Sequence, residues 1–540
     1  MEVWDLTSPW CLRSTCSTCF EARKRANATM KATIASLLLV LGSSRSTHLH
    51  LGAEQSPTEA HARERNESSG VNEKEMQTYI FTVKKDTATK EKIEWACGMQ
   101  QEGESWVPKN KTVYERCLLR QGACHHLYWT AVEGFSGLFT KQEVRTITEC
   151  FGEELELLES DGTVEKTEFQ GREPPKLHVE SQAFPEEGEL DDVTSENLEA
   201  VDAQAQSLHG EFHVTDEMVK STTIKEQPLP TALWNLDRID QRDLPLDKTF
   251  RYGTAASSES GIGVTIYVLD SGVRISHQEF RYWDRDESRA SYGYNFVDNR
   301  HEADDCDGHG THVAATAVGR IVGVAKSAKI VSVRVLGCTG VGAVSDVVAG
   351  LDWIAKYADK PAIVTMSLGI RVGEWSAIME AAVSRLIHEH NIAVIVASGN
   401  SAVDACDVAP ANLPETITVG ASDLASKFSN AVGSERPYEW SNTGHCVDIF
   451  APGVDVYSAC GGQERCQPVT DDSYTWASGT SMAVPLVAGV VANIFEAFPS
   501  IDVYDLKQHL LTRSTVATLQ LVGYGEETPN RVLYSRMNAG

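Results

Sequence analysis

Residues 264–273 read VTIYVLDSGV, and this stretch decides the class of fold. It opens with a short, continuous run rich in β-branched residues, which is typical of a strand buried on both faces. Similar runs follow at 329–336 (KIVSVRVL), 362–368 (AIVTMSL) and 392–398 (IAVIVAS). Four such runs predict the interior of one sheet.

Helical patterns separate these runs. They are GTHVAATAVG (310–319), VSDVVAGLDWIAKYA (344–358) and WSAIMEAAVSRLIHEH (375–390). Alternating strands and helices indicate an α/β fold, with a mainly parallel central sheet between layers of helices. Active sites collect at the carboxyl ends of such strands.

The composition excludes one broad class of function. The 540 residues carry a net charge of −28, with a pI near 5.0, whereas a nucleic-acid-binding protein needs a basic face. We therefore expect no nucleic-acid partner. Hydrophobic residues make up 42% of the chain, which is enough for a sizeable core.

An apolar run near the start, ATIASLLLVLG (32–42), is too short to span a bilayer but suits a signal peptide. We expect residues 30–50 to be that signal. Residues 1–29 would be an upstream extension or an over-long gene model. Since no second long apolar run follows, we predict a secreted or secretory-pathway protein with no membrane span in its mature form.

The cysteines agree with secretion. Those after the signal form a group of four and a group of six, and disulfide frameworks need even numbers. The alternative is buried free thiols in a cytosolic enzyme. The two groups are Cys97, Cys117, Cys124 and Cys150, then Cys306, Cys338, Cys406, Cys446, Cys460 and Cys466.

Composition divides the rest of the chain into three parts. Residues 77–169 have the strand and helix patterns of a small α/β unit. Residues 170–230 are rich in Glu and Asp, as in EEGELDDVTSENLEAVDAQ, and predict a flexible linker. Residues 231–540 contain the buried strands and form the main domain.

Three polar residues lie where strands end or helices begin. Asp270 closes VTIYVLD, His309 opens a helical stretch in DGHGTHVA, and Ser481 does so in SGTSMAVPLVAG (478–489). A serine nucleophile needs a base, and that base needs a carboxylate to orient it. Asn400, in VIVASGNS, could donate to an oxyanion. On this stretch alone, a helix N-cap is the favoured interpretation of Ser481.

These blocks resemble the subtilisin-like serine peptidases, most of all the secreted aqualysin-type members of the proteinase K branch. The similarity covers YVLDSGV, DGHGTHVA, VRVLGCTGVG, TMSLG, ASGNS, ITVGASD, CVDIFAPG and SGTSMAVPLVAG, in order from about Trp234 to TPNRVLY. The resemblance implies a subtilisin-like three-layer fold and a catalytic triad of Asp270, His309 and Ser481. Asn400 and the Ser481 backbone N–H would form the oxyanion hole.

The resemblance also implies features around the triad. Two segments would flank an extended peptide substrate as added strands: Gly340, Val341 and Gly342, and Ser367, Leu368 and Gly369. Three disulfides would join Cys306 to Cys338, Cys406 to Cys446 and Cys460 to Cys466. A structural calcium ion would bind Asp448, Pro414 and Thr416, whereas catalysis would need no cofactor.

Residues 77–169 resemble, more loosely, the ferredoxin-like inhibitor prodomain of these peptidases. The chain would then be a secreted serine endopeptidase that acts on proteins or peptides and processes its own precursor. Its prodomain would be an intramolecular inhibitor, ending in an extended strand within the cleft. The alternative is a binding protein in which this prodomain stays in place and blocks the cleft.

Overall fold

The computed structural model describes residues 76–84, 90–97, 119–120, 122–168, 225–253, 260–372, 374–427, 433–462, 465–524 and 527–536. The predicted upstream extension, the signal peptide and most of the acidic linker lie outside these residues. So does Cys117.

Residues 76–168, here called the small subdomain, form a four-stranded antiparallel sheet in the order β2-β3-β1-β4. With its two helices this is a β-α-β-β-α-β arrangement of the ferredoxin-like kind. Helix α2 begins with a capping box in which Thr140 and Glu143 satisfy each other's backbone N–H groups. The elements are β1 (Met76–Val83), α1 (Lys90–Ala96), β2 (Cys124–Tyr128), β3 (Glu133–Thr140), α2 (Lys141–Phe151), β4 (Leu155–Ser160) and a separate final strand β5 (Thr163–Lys166).

Residues 225–536 form the large subdomain. Its strands and helices, in chain order, are β6 (Lys225–Pro228), α3 (Trp234–Asp240), β7 (Thr249–Tyr252), β8 (Thr265–Asp270), β9 (Ala290–Asn295), α4 (His309–Val318), β10 (Lys329–Arg334), β11 (Val341–Ala343), α5 (Val344–Tyr357), β12 (Ala362–Met366), β13 (Leu368–Ile370), α6 (Ala377–His388), β14 (Ala393–Ala397), β15 (Ile417–Leu424), β16 (Glu435–Pro437), β17 (Ile449–Pro452), β18 (Val456–Ala459), β19 (Tyr474–Ala477), α7 (Thr480–Ala497), α8 (Val503–Arg513), β20 (Thr515–Val516) and β21 (Arg531–Val532).

The central sheet runs in the order β20-β21-β17-β15-β14-β12-β8-β10-β9, with β16 added beside β15. From β21 to β9 every pair is parallel. All residues of β8, β12 and β14 are buried, so both faces of the sheet are covered. Helix α4 packs on α7 and α5 packs on α6, and each pair contacts the sheet. The α/β fold is therefore the one that the buried runs predict.

Helix α7 lies in this core. By length and composition it could cross a membrane, but 83% of its apolar window is buried inside the fold. Its apolar residues are therefore explained by packing against α4 and the central sheet.

The small subdomain docks on helices α5 and α6. Asp352 accepts hydrogen bonds from the backbone N–H groups of Trp129, Thr130 and Ala131, at 3.0, 2.5 and 2.7 Å. The carboxylate of Asp161 accepts from the N–H and hydroxyl of Ser345, at 2.9 and 2.6 Å. These contacts bring the end of the small subdomain to the carboxyl edge of the central sheet.

Candidate active site

The carboxylate at the end of β8 meets the imidazole at the start of α4. Nδ1 of His309 lies 2.7 Å from Oδ1 of Asp270, and both side chains are buried. The same Oδ1 atom accepts from the backbone N–H of Ser271 at 2.7 Å. Because the carboxylate holds Nδ1, the proton on the ring is directed there and Nε2 is left as the basic nitrogen.

Asp305 organises the turn that presents His309. Its carboxylate accepts from the backbone N–H groups of Asp307, Gly308 and Thr311, at 3.1, 2.8 and 2.9 Å. Burial raises the pKa of Asp305, while the hydroxyl of Thr311 and the N–H groups of Gly308 and Thr311 oppose the rise. Sequence reasoning missed this role, because a run of acidic residues beside a histidine gives no sign of which one turns inward.

Ser481 is the second residue of α7, and its side chain is fully buried. Its Oγ lies 2.8 Å from the hydroxyl of Thr167 and donates to the carbonyl oxygen of Ser367 at 3.1 Å. Among the described residues, Nε2 of His309 is buried without a hydrogen-bond partner. The Ser481 hydroxyl is thus paired with the hydroxyl of Thr167 and not with Nε2 of His309. Hydrogen bonds between a nucleophile and its base commonly tighten only in the reacting complex.

The carbonyl oxygen of Thr167 lies between two donors. The side-chain amide of Asn400 donates to it at 2.5 Å, and the backbone N–H of Ser481 donates at 3.2 Å. Asn400 cannot turn freely, because its Oδ1 accepts from the N–H and hydroxyl of Thr480 at 3.0 and 2.9 Å. The site also needs Gly479, since a Cβ there would lie 2.6 Å from the Thr167 oxygen.

Strand β5 brings Thr167 to this position. It pairs antiparallel with β11 on one side and β13 on the other, forming a three-stranded sheet. The backbone N–H of Lys166 donates to the Gly340 oxygen at 3.0 Å, and that of Thr167 donates to the Ser367 oxygen at 3.0 Å. Val341, Gly342, Leu368 and Gly369 supply the remaining predicted flanking positions. The chain's own strand thus lies where a peptide substrate was predicted.

The structure places the last six cysteines in three disulfides: Cys306 with Cys338, Cys406 with Cys446, and Cys460 with Cys466. The first ties the loop before His309 to the segment that follows β10. A fourth disulfide joins Cys97 to Cys124 in the small subdomain.

The predicted calcium ligands come together, but around an ammonium group. Nζ of Lys507 donates to the carbonyl oxygens of Pro414 and Thr416 at 2.9 and 2.6 Å, and it lies 2.8 Å from Oδ2 of Asp448. A calcium ion prefers six to eight oxygen ligands and would be repelled by this ammonium. These oxygens therefore fit the lysine ammonium better than a calcium ion beside it, and the calcium site stays a prediction.

Two further histidines make structural contacts. Nε2 of His312 is buried against the Val456 carbonyl oxygen at 3.1 Å. Nε2 of His126 lies 2.7 Å from Oδ1 of Asp346 on α5. It joins the two subdomains, a role that no local pattern signals.

The sequence of this chain is similar to those of a known protein family. Residues 261–525 match the description "Subtilase family". The chain is 40% identical over 311 residues to "Alkaline serine exoprotease A" of Vibrio alginolyticus, a match that covers 57% of this chain and 51% of that protein. It is 38% identical over 315 residues to "Cuticle-degrading serine protease" of Arthrobotrys oligospora, covering 58% of this chain and 70% of that one.

The fold has a solved counterpart, fervidolysin from Fervidobacterium pennivorans, described as a keratinolytic enzyme related to subtilisin. The TM-score is 0.56 at 19% identity, over 86% of this chain and 60% of that structure. This likeness shows the fold alone. The family match spans the segments that hold Asp270, His309 and Ser481, and with the similarity to the Arthrobotrys protease it shows that the chain belongs to the subtilase family.

Proposed function

We propose that the chain is a secreted serine endopeptidase, made as a precursor that cuts itself between Thr167 and Glu168. One observation carries the proposal: the Thr167 carbonyl oxygen accepts from both Asn400 and the Ser481 N–H, beside the Ser481 hydroxyl. A carbonyl held by two donors next to a serine is arranged for attack. These three relatives are named as serine proteases or proteinases, which supports a serine peptidase.

The proposed chemistry follows from these positions. Ser481 Oγ attacks the Thr167 carbonyl carbon as its proton passes to Nε2 of His309. The negative charge that develops on the carbonyl oxygen is stabilised by Asn400 and the Ser481 N–H. The bond to the Glu168 nitrogen then breaks as His309 returns the proton to it, leaving an ester that water hydrolyses. Asp270 orients the imidazole and stabilises its charged form; no cofactor takes part in these steps.

The small subdomain would act as an intramolecular inhibitor, both before and after this cut. Strand β5 occupies the cleft between β11 and β13, where a substrate strand would have to bind. Asp352 and Asp161 hold the rest of the subdomain against α5. Since these contacts do not involve the cut bond, cleavage alone would leave the cleft covered.

Secretion of the mature protein rests on the signal-like run at residues 32–42 and on the disulfides. One relative, from Thermus, carries the name "Extracellular serine proteinase". The substrates would be proteins or peptides bound as an added strand.

Expression of wild type and Ser481→Ala side by side tests the proposal. The wild type should yield a small subdomain whose last residue is Thr167, as read by mass spectrometry. Ser481→Ala should fold and remain uncut. Ser500→Ala removes an exposed hydroxyl and serves as the matched control that should process normally.

Two results would contradict the proposal. Uncut wild type that does not react with an active-site serine probe would favour the alternative, a binding protein with a blocked cleft. Processing of Ser481→Ala at the same bond, in a host free of other proteases, would show that Ser481 does not make the cut.

A further inference from the structure

Four charged side chains surround the Thr167–Glu168 bond. Lys166 ends the strand that occupies the cleft, Glu168 lies just beyond it, and Asp307 and Arg465 come from the large subdomain. Their side chains are only 8%, 10%, 3% and 14% exposed, in that order. None of the four is a reacting group in the triad chemistry, although the Asp307 carboxylate also accepts from the His309 backbone N–H at 3.1 Å.

The lysine before the bond is received by Asp307. Nζ of Lys166 lies 2.7 Å from Oδ2 and 2.9 Å from Oδ1 of that carboxylate. The stem of Lys166 passes over Gly340, where any Cβ would overlap it. Burial, and then the charge of Arg465, lower the pKa of Lys166. The hydrogen bond and the charge of Asp307 raise it, so Asp307 is the main group that stabilises this cation. The groove is thus shaped for a long cationic side chain.

The glutamate after the bond is received by Arg465. Both terminal nitrogens of the guanidinium bind the two carboxylate oxygens of Glu168, one to each. Nε of the same guanidinium donates to Oδ1 of Asp307 at 3.2 Å. A bidentate pair of this kind is directional and stronger than a neutral hydrogen bond. Burial lowers the pKa of Arg465 to about 10, which leaves the side chain charged at neutral pH.

From this ring of charges we propose that Asp307 and Arg465 are specificity-determining residues. They select protein substrates that carry lysine two residues before the cut bond and glutamate directly after it. This inference rests on the proposed function and adds its substrate class. Asp307 and Arg465 also bond each other, so an apolar residue at either position would bury one of them without its charged partner from the substrate.

Cleavage of peptides based on residues 163–170, TVEKTEFQ, tests the inference with the processed wild-type enzyme from which the small subdomain has been separated. One variant peptide replaces the glutamate that corresponds to Glu168 by glutamine. Another replaces the lysine that corresponds to Lys166 by methionine. Each replacement should lower kcat/KM by about tenfold or more, since a hydrogen-bonded charge pair is lost. Equal cleavage of all three peptides would overturn the inference while leaving the proposed endopeptidase in place.

Enzyme variants assign the two preferences to their residues. Arg465→Gln should abolish the preference for glutamate over glutamine and keep that for lysine, whereas Asp307→Asn should do the reverse. Arg285→Gln, which removes an exposed arginine paired with Asp284 and Glu287, should keep both preferences. A glutamate preference that survives in Arg465→Gln would overturn the assignment.

A charge swap completes the test and guards against misfolded variants. Arg465→Glu should cleave a peptide with arginine after the bond better than one with glutamate, an inversion that a damaged fold cannot produce. If wild type cleaves no peptide and reacts with no serine probe, the proposed function fails and this inference fails with it. Cleavage without charge preference removes this inference alone.

Discussion

The side-chain amide of Asn400 donates to the carbonyl oxygen of Thr167, a residue 233 positions earlier in the chain. The contact depends on Thr480, which holds the other end of the amide. It is a ground-state contact, but it should strengthen as negative charge develops on that oxygen. Its value to the reaction therefore lies mainly in the transition state.

Asn400→Ala should lower kcat by about 10²–10³ with little change in KM, a magnitude established for subtilisin itself. The precursor should also process more slowly. Steady-state kinetics on a neutral peptide would measure the effect, with the exposed Asn299 changed to alanine as a control. Near-normal kcat would mean that Asn400 only supports the turn.

Asp352→Ala should weaken inhibition without preventing the cut. The variant leaves the N–H groups of Trp129, Thr130 and Ala131 without their acceptor at the interface. Each buried donor left unpaired costs about 1–3 kcal/mol, so the processed small subdomain should dissociate at least about tenfold more readily. Peptidase activity after dilution of the processed protein would report this. Asp359→Ala, at an exposed position nearby, should behave as wild type; equal activity of both variants would contradict the prediction.

Chelation of calcium should leave the thermal unfolding midpoint of the protein unchanged, because Lys507 already supplies the positive charge beside Asp448. Lys507→Met should instead destabilise the fold by about 3–5 kcal/mol, since a largely buried carboxylate loses its partner. Denaturant unfolding of both proteins, with and without chelator, checks the two statements. A chelator-sensitive wild type with an insensitive variant would contradict them.

Stability should fall as the pH drops from about 6.5 toward 3, in part because of His312. Burial, and then the charge of His309, lower the pKa of His312 to about 3. The folded state therefore keeps the ring neutral in a range where the unfolded chain binds a proton. This contribution is fully present above the unfolded pKa and is lost as the pH falls, at about 1.4 kcal/mol per pH unit.

His312→Gln keeps an N–H donor for the Val456 carbonyl oxygen but cannot titrate. Its unfolding free energy should change less steeply between pH 6.5 and 3 than that of wild type. The difference between the two slopes should approach that expected for the uptake of one proton on unfolding. Identical slopes would show that His312 does not titrate differently in the two states.

The sequence by itself determined the strands, the helices and the chemistry at their ends. A run such as TIYVL (265–269) predicts a fully buried strand because side-chain character repeats locally. The same local reasoning puts Asp270 at a strand end and both His309 and Ser481 at helix starts, as the structure has them. The resemblance to the family added the prediction that an extended strand would lie between two glycine-containing segments.

Only the tertiary structure decided which residue of the bound strand lies at the oxyanion donors and which charged side chains surround it. The register of β5 against β11 and β13 places Thr167, and not a neighbour, on the two oxyanion donors, and sequence alone left this bond uncertain. Arg465 and Lys507 carry no local signal. Each becomes informative when the fold places its charge beside acids or carbonyl groups from distant parts of the chain. Periodicity encodes burial over a few residues, whereas a salt bridge or a bound strand depends on the positions of segments hundreds of residues apart.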